Sequence, residues 1–143
     1  MIEISTDKHK INIAFVHEYL STKSYWAKDV PLSVVQKSIE NSLCFVMLKN
    51  EKQIGFARMI TDYATFSYLC DVFIAPTEQG NGYGIALMKF IDAYPDLQNL
   101  RRIMLATADA HSLYEKFGYK PLSMPERIME IKDAAVYQRM KNL

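Results

Sequence analysis

Little in this sequence invites covalent or metal chemistry. Only two cysteines occur, Cys44 and Cys70, each inside an apolar run where a free thiol behaves as a small hydrophobe. Neither stands in a C-x-x-C pair or near the scattered histidines, His9, His17 and His111, at zinc-site spacing, so no metal is expected. No apolar stretch approaches the ~20 residues of a membrane span, and the Met-Ile-Glu-Ile start lacks a signal-peptide pattern. The expectation is a cytoplasmic protein with no membrane partner. Neither sign of charge dominates: 17 Lys and Arg against 16 Asp and Glu leave a net +1. That balance excludes a broad electrostatic hold on nucleic acid and makes recognition local.

What is present suits one globular domain spanning residues 1–143, half hydrophobic and 23% charged. Ile11, Ile13, Val16 and Leu20 recur at helical spacing, which predicts a helix over Lys8 to Leu20 with Thr6 or Asp7 as its cap. A second helix opens at Pro31 and carries Val34, Val35 and Ile39; the loop between them holds Tyr25 and Trp26, the only tryptophan. Three runs rich in β-branched and aromatic residues follow, Leu43 to Lys49, Gln53 to Thr61 and Thr65 to Ala75, with short connections that predict an antiparallel meander. Beyond them lie a helix stopped by Pro95, a strand over Ile103 to Thr107, and a short helix from Asp109, its candidate cap, to Phe117. A last strand over Arg127 to Lys132 and a helical tail over Ala134 to Met140 complete the expectation. Strands interleaved with helices around a meander place the chain in the α/β (α+β) class, a mixed central sheet flanked by helices.

Glycine is scarce, and that makes its placement informative. Three of the five glycines fall in Gln79-Gly80-Asn81-Gly82-Tyr83-Gly84, between a predicted strand and a predicted helix. Such a corner brings backbone amides close to a ligand and adds the partial positive charge of a helix N-terminus, a combination suited to phosphate or pyrophosphate. The loop lacks the Gly-Lys-Ser/Thr ending of a P-loop. Its G-x-G-x-G spacing in mid-chain departs from the dinucleotide fingerprint as well.

The loop resembles instead the coenzyme motif of the GNAT family of N-acetyltransferases: Gln or Arg, two residues, Gly, one residue, Gly or Ala. Gln79, Gly82 and Gly84 match it. Upstream, Asp71-Val72-Phe73-Ile74-Ala75-Pro76 looks like the family's fourth strand. Downstream, Ala110-His111-Ser112-Leu113-Tyr114-Glu115-Lys116-Phe117-Gly118-Tyr119 is similar to its A-x-x-L-Y-x-x-x-G-F segment. The resemblance implies a mostly antiparallel sheet whose fourth and fifth strands splay into a wedge for the pantetheine arm of acetyl-CoA. In it the main chain of Val72, Phe73 and Ile74 would pair with the pantetheine amides, and Gln79, Gly80, Asn81, Gly82, Tyr83 and Gly84 would hold the pyrophosphate. Thr107 stands where many members have asparagine, which weakens the pantetheine contact expected there.

The resemblance further implies direct attack of an amine on the thioester, with Tyr114 positioned to protonate the departing sulfur. An alkylamine has a pKa of about 10.4 and must lose a proton first. Asp71 is the leading candidate base, Asp62 and His111 are weaker ones, and a water relay competes with all three. Tyr25, Trp26, Asp62, Phe66 and His111 are candidates to border the acceptor, with packing an alternative for the aromatic ones. The expected activity is acetylation of a primary amine of a small molecule. A protein or peptide acceptor, and an acyl-CoA sensor without turnover, stay open, as does a homodimer.

Overall fold

The computed structural model describes residues 1–142. Its frame is a five-stranded sheet in the order β1-β2-β3-β4-β5, formed by Ile2–Ser5, Leu43–Lys49, Lys52–Thr61, Phe66–Ile74 and Arg102–Leu105. The first four strands are antiparallel neighbours, and β5 joins β4 in parallel. Helices α1 (Ile13–Thr22) and α2 (Leu32–Glu40) cover one face. Helix α3 (Tyr83–Asp92) covers the other, followed by the short α4 (His111–Glu115) and α5 (Val136–Lys141). The α/β expectation and its mixed sheet hold.

Alternation along β2 shows why this sheet needs two covers. Leu43, Phe45 and Met47 enter the core under α3 with Leu87, Met88 and Ile91, whereas Cys44 enters the core under α1 and α2 with Val16, Leu20, Val35 and Ile39. A strand buried on both faces reads as one continuous apolar run. The β2–β3 turn uses Asn50 and Glu51, both at positive φ (50° and 69°), the conformation of a two-residue hairpin whose twist matches the sheet.

Several local expectations are corrected. The helix expected from Lys8 begins at Ile13: Asn12 caps it by accepting from the Phe15 amide at 3.0 Å, while Asp7 caps a separate 3-10 turn over Lys8–Lys10. Asp109 does not cap α4. Ala110 occupies the N-cap position, and Thr107 Oγ1 accepts from the Ala110 amide at 3.0 Å. Strand β1 escapes the periodicity test because it has four residues, with only Ile2 and Ile4 in alternation. The strand expected over Arg127 to Lys132 is absent from the sheet, and every residue from Lys120 to Ala135 is exposed.

Candidate active site

The site begins where two strands part. Strand β5 pairs with β4 only from Phe66–Leu69 against Arg102–Leu105. Beyond that register β4 continues to Ile74, held on its other side by β3, with Phe73 opposite Phe56 and Ile74 opposite Gly55. The main chain of Val72, Phe73 and Ile74 therefore presents an edge to the space β5 has left. Phe73 is fixed from the α1 side by a stacked Tyr19 ring, with centroids 3.9 Å apart. Gly55 lets β3 and β4 approach closely: a Cβ there would lie 2.8 Å from Ile74 Cδ1 and 3.2 Å from the Phe73 carbonyl.

At the end of this edge lies the glycine loop. Gly80 and Gly82 have φ of +84° and +78°, the left-handed region that favours glycine. A Cβ on Gly80, Gly82 or Gly84 would meet nothing within 4 Å, so the loop's surface is open. Gly82 is the N-cap of α3 and supplies no side-chain acceptor, which leaves the first-turn amides of a ten-residue helix without a side-chain cap. Gln79 ties the loop to the strand by donating from Nε2 to the Ile74 carbonyl at 3.0 Å, and Asn81 donates to the Glu78 carbonyl at 3.1 Å. Lys49 adds a cation beside the loop, 3.0 Å from Glu78 and 5.9 Å from the Tyr83 ring centroid. These residues fit a pyrophosphate: open backbone, uncapped amides and a positive helix end.

Val72, Tyr83, Leu105 and Tyr114 all pack on the core under α3, which brings β4, α3, β5 and α4 together on one face. Burial pushes the Tyr114 phenol up to about 12, with Tyr25 and Asp109 adding to the shift, so it stays a proton-bearing group at neutral pH. Tyr119 packs edge-on to it and is likewise pushed up to about 12, chiefly by burial. Burial also raises Cys44 to about 11 and Cys70 to about 12, which keeps both as inert thiols.

The α1–α2 loop spans the two sides of the wedge. Ala27 and Val30 bury it in the core under α1 and α2, while Tyr25 and Trp26 stay at the surface in edge-on contact. Tyr25 Oη accepts from the Ala108 amide, just past β5, at 2.8 Å, and Trp26 Nε1 donates to Asp71 Oδ1, on β4, at 2.9 Å.

Asp71 itself sits at positive φ (54°) in an irregular stretch of the β3–β4 pairing, and its other oxygen accepts from Arg58 Nε at 2.8 Å. Arg58 donates on to Ser42 Oγ at 3.0 Å. With side chains 9% and 16% exposed, Asp71 and Arg58 form a nearly buried pair, and both carboxylate oxygens are engaged.

Two other candidates lie at the far end of β4 from the glycine loop, while a third, His111, shares a cavity with Thr107 and Tyr114. Asp62 closes the β3–β4 turn, accepting from the amides of Ala64, Thr65 and Phe66 and from the Thr65 hydroxyl. Bonds from Thr65 foremost hold its carboxyl well below the usual range. Phe66 begins β4 at that same end, opposite the glycine loop, and is partly exposed. His111 is the exposed first residue of α4. Arg58 was missed in the sequence, although an arginine between Ala57 and Met59 in an apolar strand signals a buried charge that needs a partner.

A family model described as "Acetyltransferase (GNAT) domain" matches residues 40–121. The chain belongs to the GNAT acetyltransferase family. A Gibberella zeae protein bearing an acetyltransferase name is 31% identical, over 79% of this chain and 75% of its own. The crystal structure of a protein belonging to the GNAT family from Xanthomonas campestris pv. campestris is 47% identical, with a TM-score of 0.93 over 96% of both chains. A Clostridium acetobutylicum protein solved with acetyl-CoA shares the fold at 14% identity, with a TM-score of 0.66 over 92% of this chain and 96% of its own. This GNAT protein is thus an acyltransferase, and among its described residues no helix is long and apolar enough to cross a membrane.

Proposed function

We propose that this GNAT protein transfers the acetyl group of acetyl-CoA to the primary amine of a small molecule, by direct attack in the wedge between β4 and β5. The observation that carries the reading is the parting of β4 from β5 after Leu69 and Leu105, with the glycine loop at the end of the freed edge. In this reading the backbone of Val72 to Ile74 orients the pantetheine arm, and the amides of Gln79 to Gly84 hold the pyrophosphate. Thr107 contributes by shaping the turn into α4 through its bond to the Ala110 amide.

The acetyl carbon accepts the amine's lone pair, the carbon–sulfur bond breaks, and Tyr114 gives its proton to the thiolate as it leaves. The phenol enters the reaction protonated, and its place with Val72 and Leu105 on the core under α3 is what supports the role. The amine's proton goes to water in our reading, because the Arg58 and Trp26 bonds occupy both oxygens of Asp71. Asp71 is then a positioning residue that holds Trp26. A small acceptor is favoured over a protein segment because the Tyr25–Trp26 loop reaches both sides of the wedge and narrows the approach.

The test is thiol release from acetyl-CoA against a panel of small amines, lysine-containing peptides and peptides with free N-termini. Acetylated small amines, identified by mass, are the expected product. Turnover confined to peptides would move the acceptor to that class, and binding without turnover on any acceptor would favour a sensor.

A further inference from the structure

Helix α5 has six residues, too few to hold a helix in water alone. Asp133 fixes its start: the carboxylate accepts from the Ala135 amide at 3.1 Å and from both terminal nitrogens of the Arg139 guanidinium. The chain that leads to it, Lys120 to Ala135, is exposed throughout, so α5 is docked by its own side chains. Tyr137 packs against the core that contains Ala27 and Val30 of the α1–α2 loop. Gln138 and Lys141, three apart and therefore neighbours on the helix surface, converge on one residue of that loop. Gln138 Nε2 donates to Asp29 Oδ2 at 2.6 Å, and Lys141 Nζ pairs with Asp29 Oδ1 at 2.9 Å.

Asp29 stands at positive φ (67°), which aspartate tolerates better than most residues, and its amide donates to the Ser21 carbonyl in the last turn of α1 at 3.0 Å. Its neighbour Val30 is held from α1 as well, by His17, whose Nε2 donates to the Val30 carbonyl at 3.0 Å. The loop is thus tied at two ends. Tyr25 and Trp26 reach Ala108 and Asp71 across the wedge, and Asp29 spends both carboxylate oxygens on α5. We propose that Asp29 is a positioning residue for the acceptor: by holding α5 against the α1–α2 loop it keeps Tyr25 and Trp26 across the wedge and so limits the size of the amine that enters. The proposal rests on the reading of that wedge as the reaction centre. With α5 released, the loop keeps its bonds to β4 and to Ala108 but loses its backing, and the approach widens for bulkier amines.

The chain's only tryptophan lies in this loop and reports on the clamp without any substrate; at 41% exposed, Trp26 has room to become more accessible. Acrylamide quenching of its fluorescence is expected to rise in Asp29→Asn, which suits the left-handed backbone and removes the charge. It should rise further in Gln138→Ala/Lys141→Ala, which leaves the loop's own sequence intact. In both variants the KM of a small amine should rise about 2–5-fold, the scale of partly exposed ion pairs. Turnover of a lysine-containing peptide relative to that amine should rise too, with the acetyl-CoA Kd at its wild-type value. Unchanged quenching in the Gln138→Ala/Lys141→Ala variant overturns the proposal, as does a quenching change with acceptor KM and size preference unmoved. Equal weakening of acetyl-CoA and acceptor would make the contact a support of the whole fold and overturn it as well. A wild type that acetylates no amine would fail the reading of the wedge, whereas the quenching comparison still decides whether α5 holds the loop.

Discussion

The indole of Trp26 donates to the carboxylate of Asp71 across 2.9 Å, so the chain's only tryptophan is pinned to the strand that forms one wall of the wedge. The same carboxylate neutralises Arg58, and one acidic side chain thus joins β3, β4 and the α1–α2 loop. Asp71→Ala leaves an arginine nearly buried and unpaired, a change that typically costs about 3–5 kcal/mol. A large drop in the urea midpoint is expected. A variant with wild-type stability and no turnover would instead return Asp71 to the role of base.

Tyr25→Phe keeps the ring and removes the acceptor of the Ala108 amide. One neutral hydrogen bond is worth about 0.5–1.5 kcal/mol, so the acceptor KM should rise roughly 2–10-fold as the loop loosens, with acetyl-CoA affinity little changed. Steady-state kinetics in both substrates checks this. Equal weakening of both would mean that the bond supports the whole fold.

Tyr114→Phe deletes the proposed proton donor and keeps the ring in its packing with Tyr119. General-acid assistance contributes about 10²–10⁴-fold, and a thiolate leaves tolerably well unassisted, so the expected loss is about 10²-fold in kcat with the acetyl-CoA KM steady. Single-turnover rates decide it, because product release can mask the step. Wild-type single-turnover rates would leave water as the donor.

Cys44, Cys70, Tyr114 and Tyr119 all have folded pKa values raised by burial, to about 11, 12, 12 and 12. Such groups contribute stability that is full below their unfolded values, about 8.5 for cysteine and 10 for tyrosine, and is lost as pH rises towards the folded values. Urea midpoints should hold up to about pH 8.5 and decline from there to pH 12, with a shallower decline for Cys70→Ala. A midpoint flat to pH 11 would contradict the burial of these groups.

The glycine corner was legible because its signal lies in local sequence: three of the five glycines fall in one loop, which the structure sets between β4 and α3. The partners of the acidic candidates were not. Asp71 looked like a base on a strand, and only the positive φ and the long-range partners Arg58 and Trp26 show what engages it. Asp62 looked like a free turn carboxylate, yet three amides and a hydroxyl occupy it. Most of the fold followed from periodicity. The exceptions were β1, too short to show any, and Arg127 to Lys132, an apolar-polar alternation that stays exposed and outside the sheet.

Acetyl-CoA is proposed to lie along β4 with its pyrophosphate in the glycine loop, and calorimetric titration of Gly82→Asp tests that placement. Open space surrounds a Cβ at position 82, and the left-handed φ costs a non-glycine residue about 1–2 kcal/mol, so the fold should survive. The added carboxylate would stand at the uncapped N-terminus of α3, where the pyrophosphate would approach. One acetyl-CoA site per chain is expected in the wild type, with its collapse in a folded Gly82→Asp variant. Unchanged affinity in that folded variant would contradict that placement.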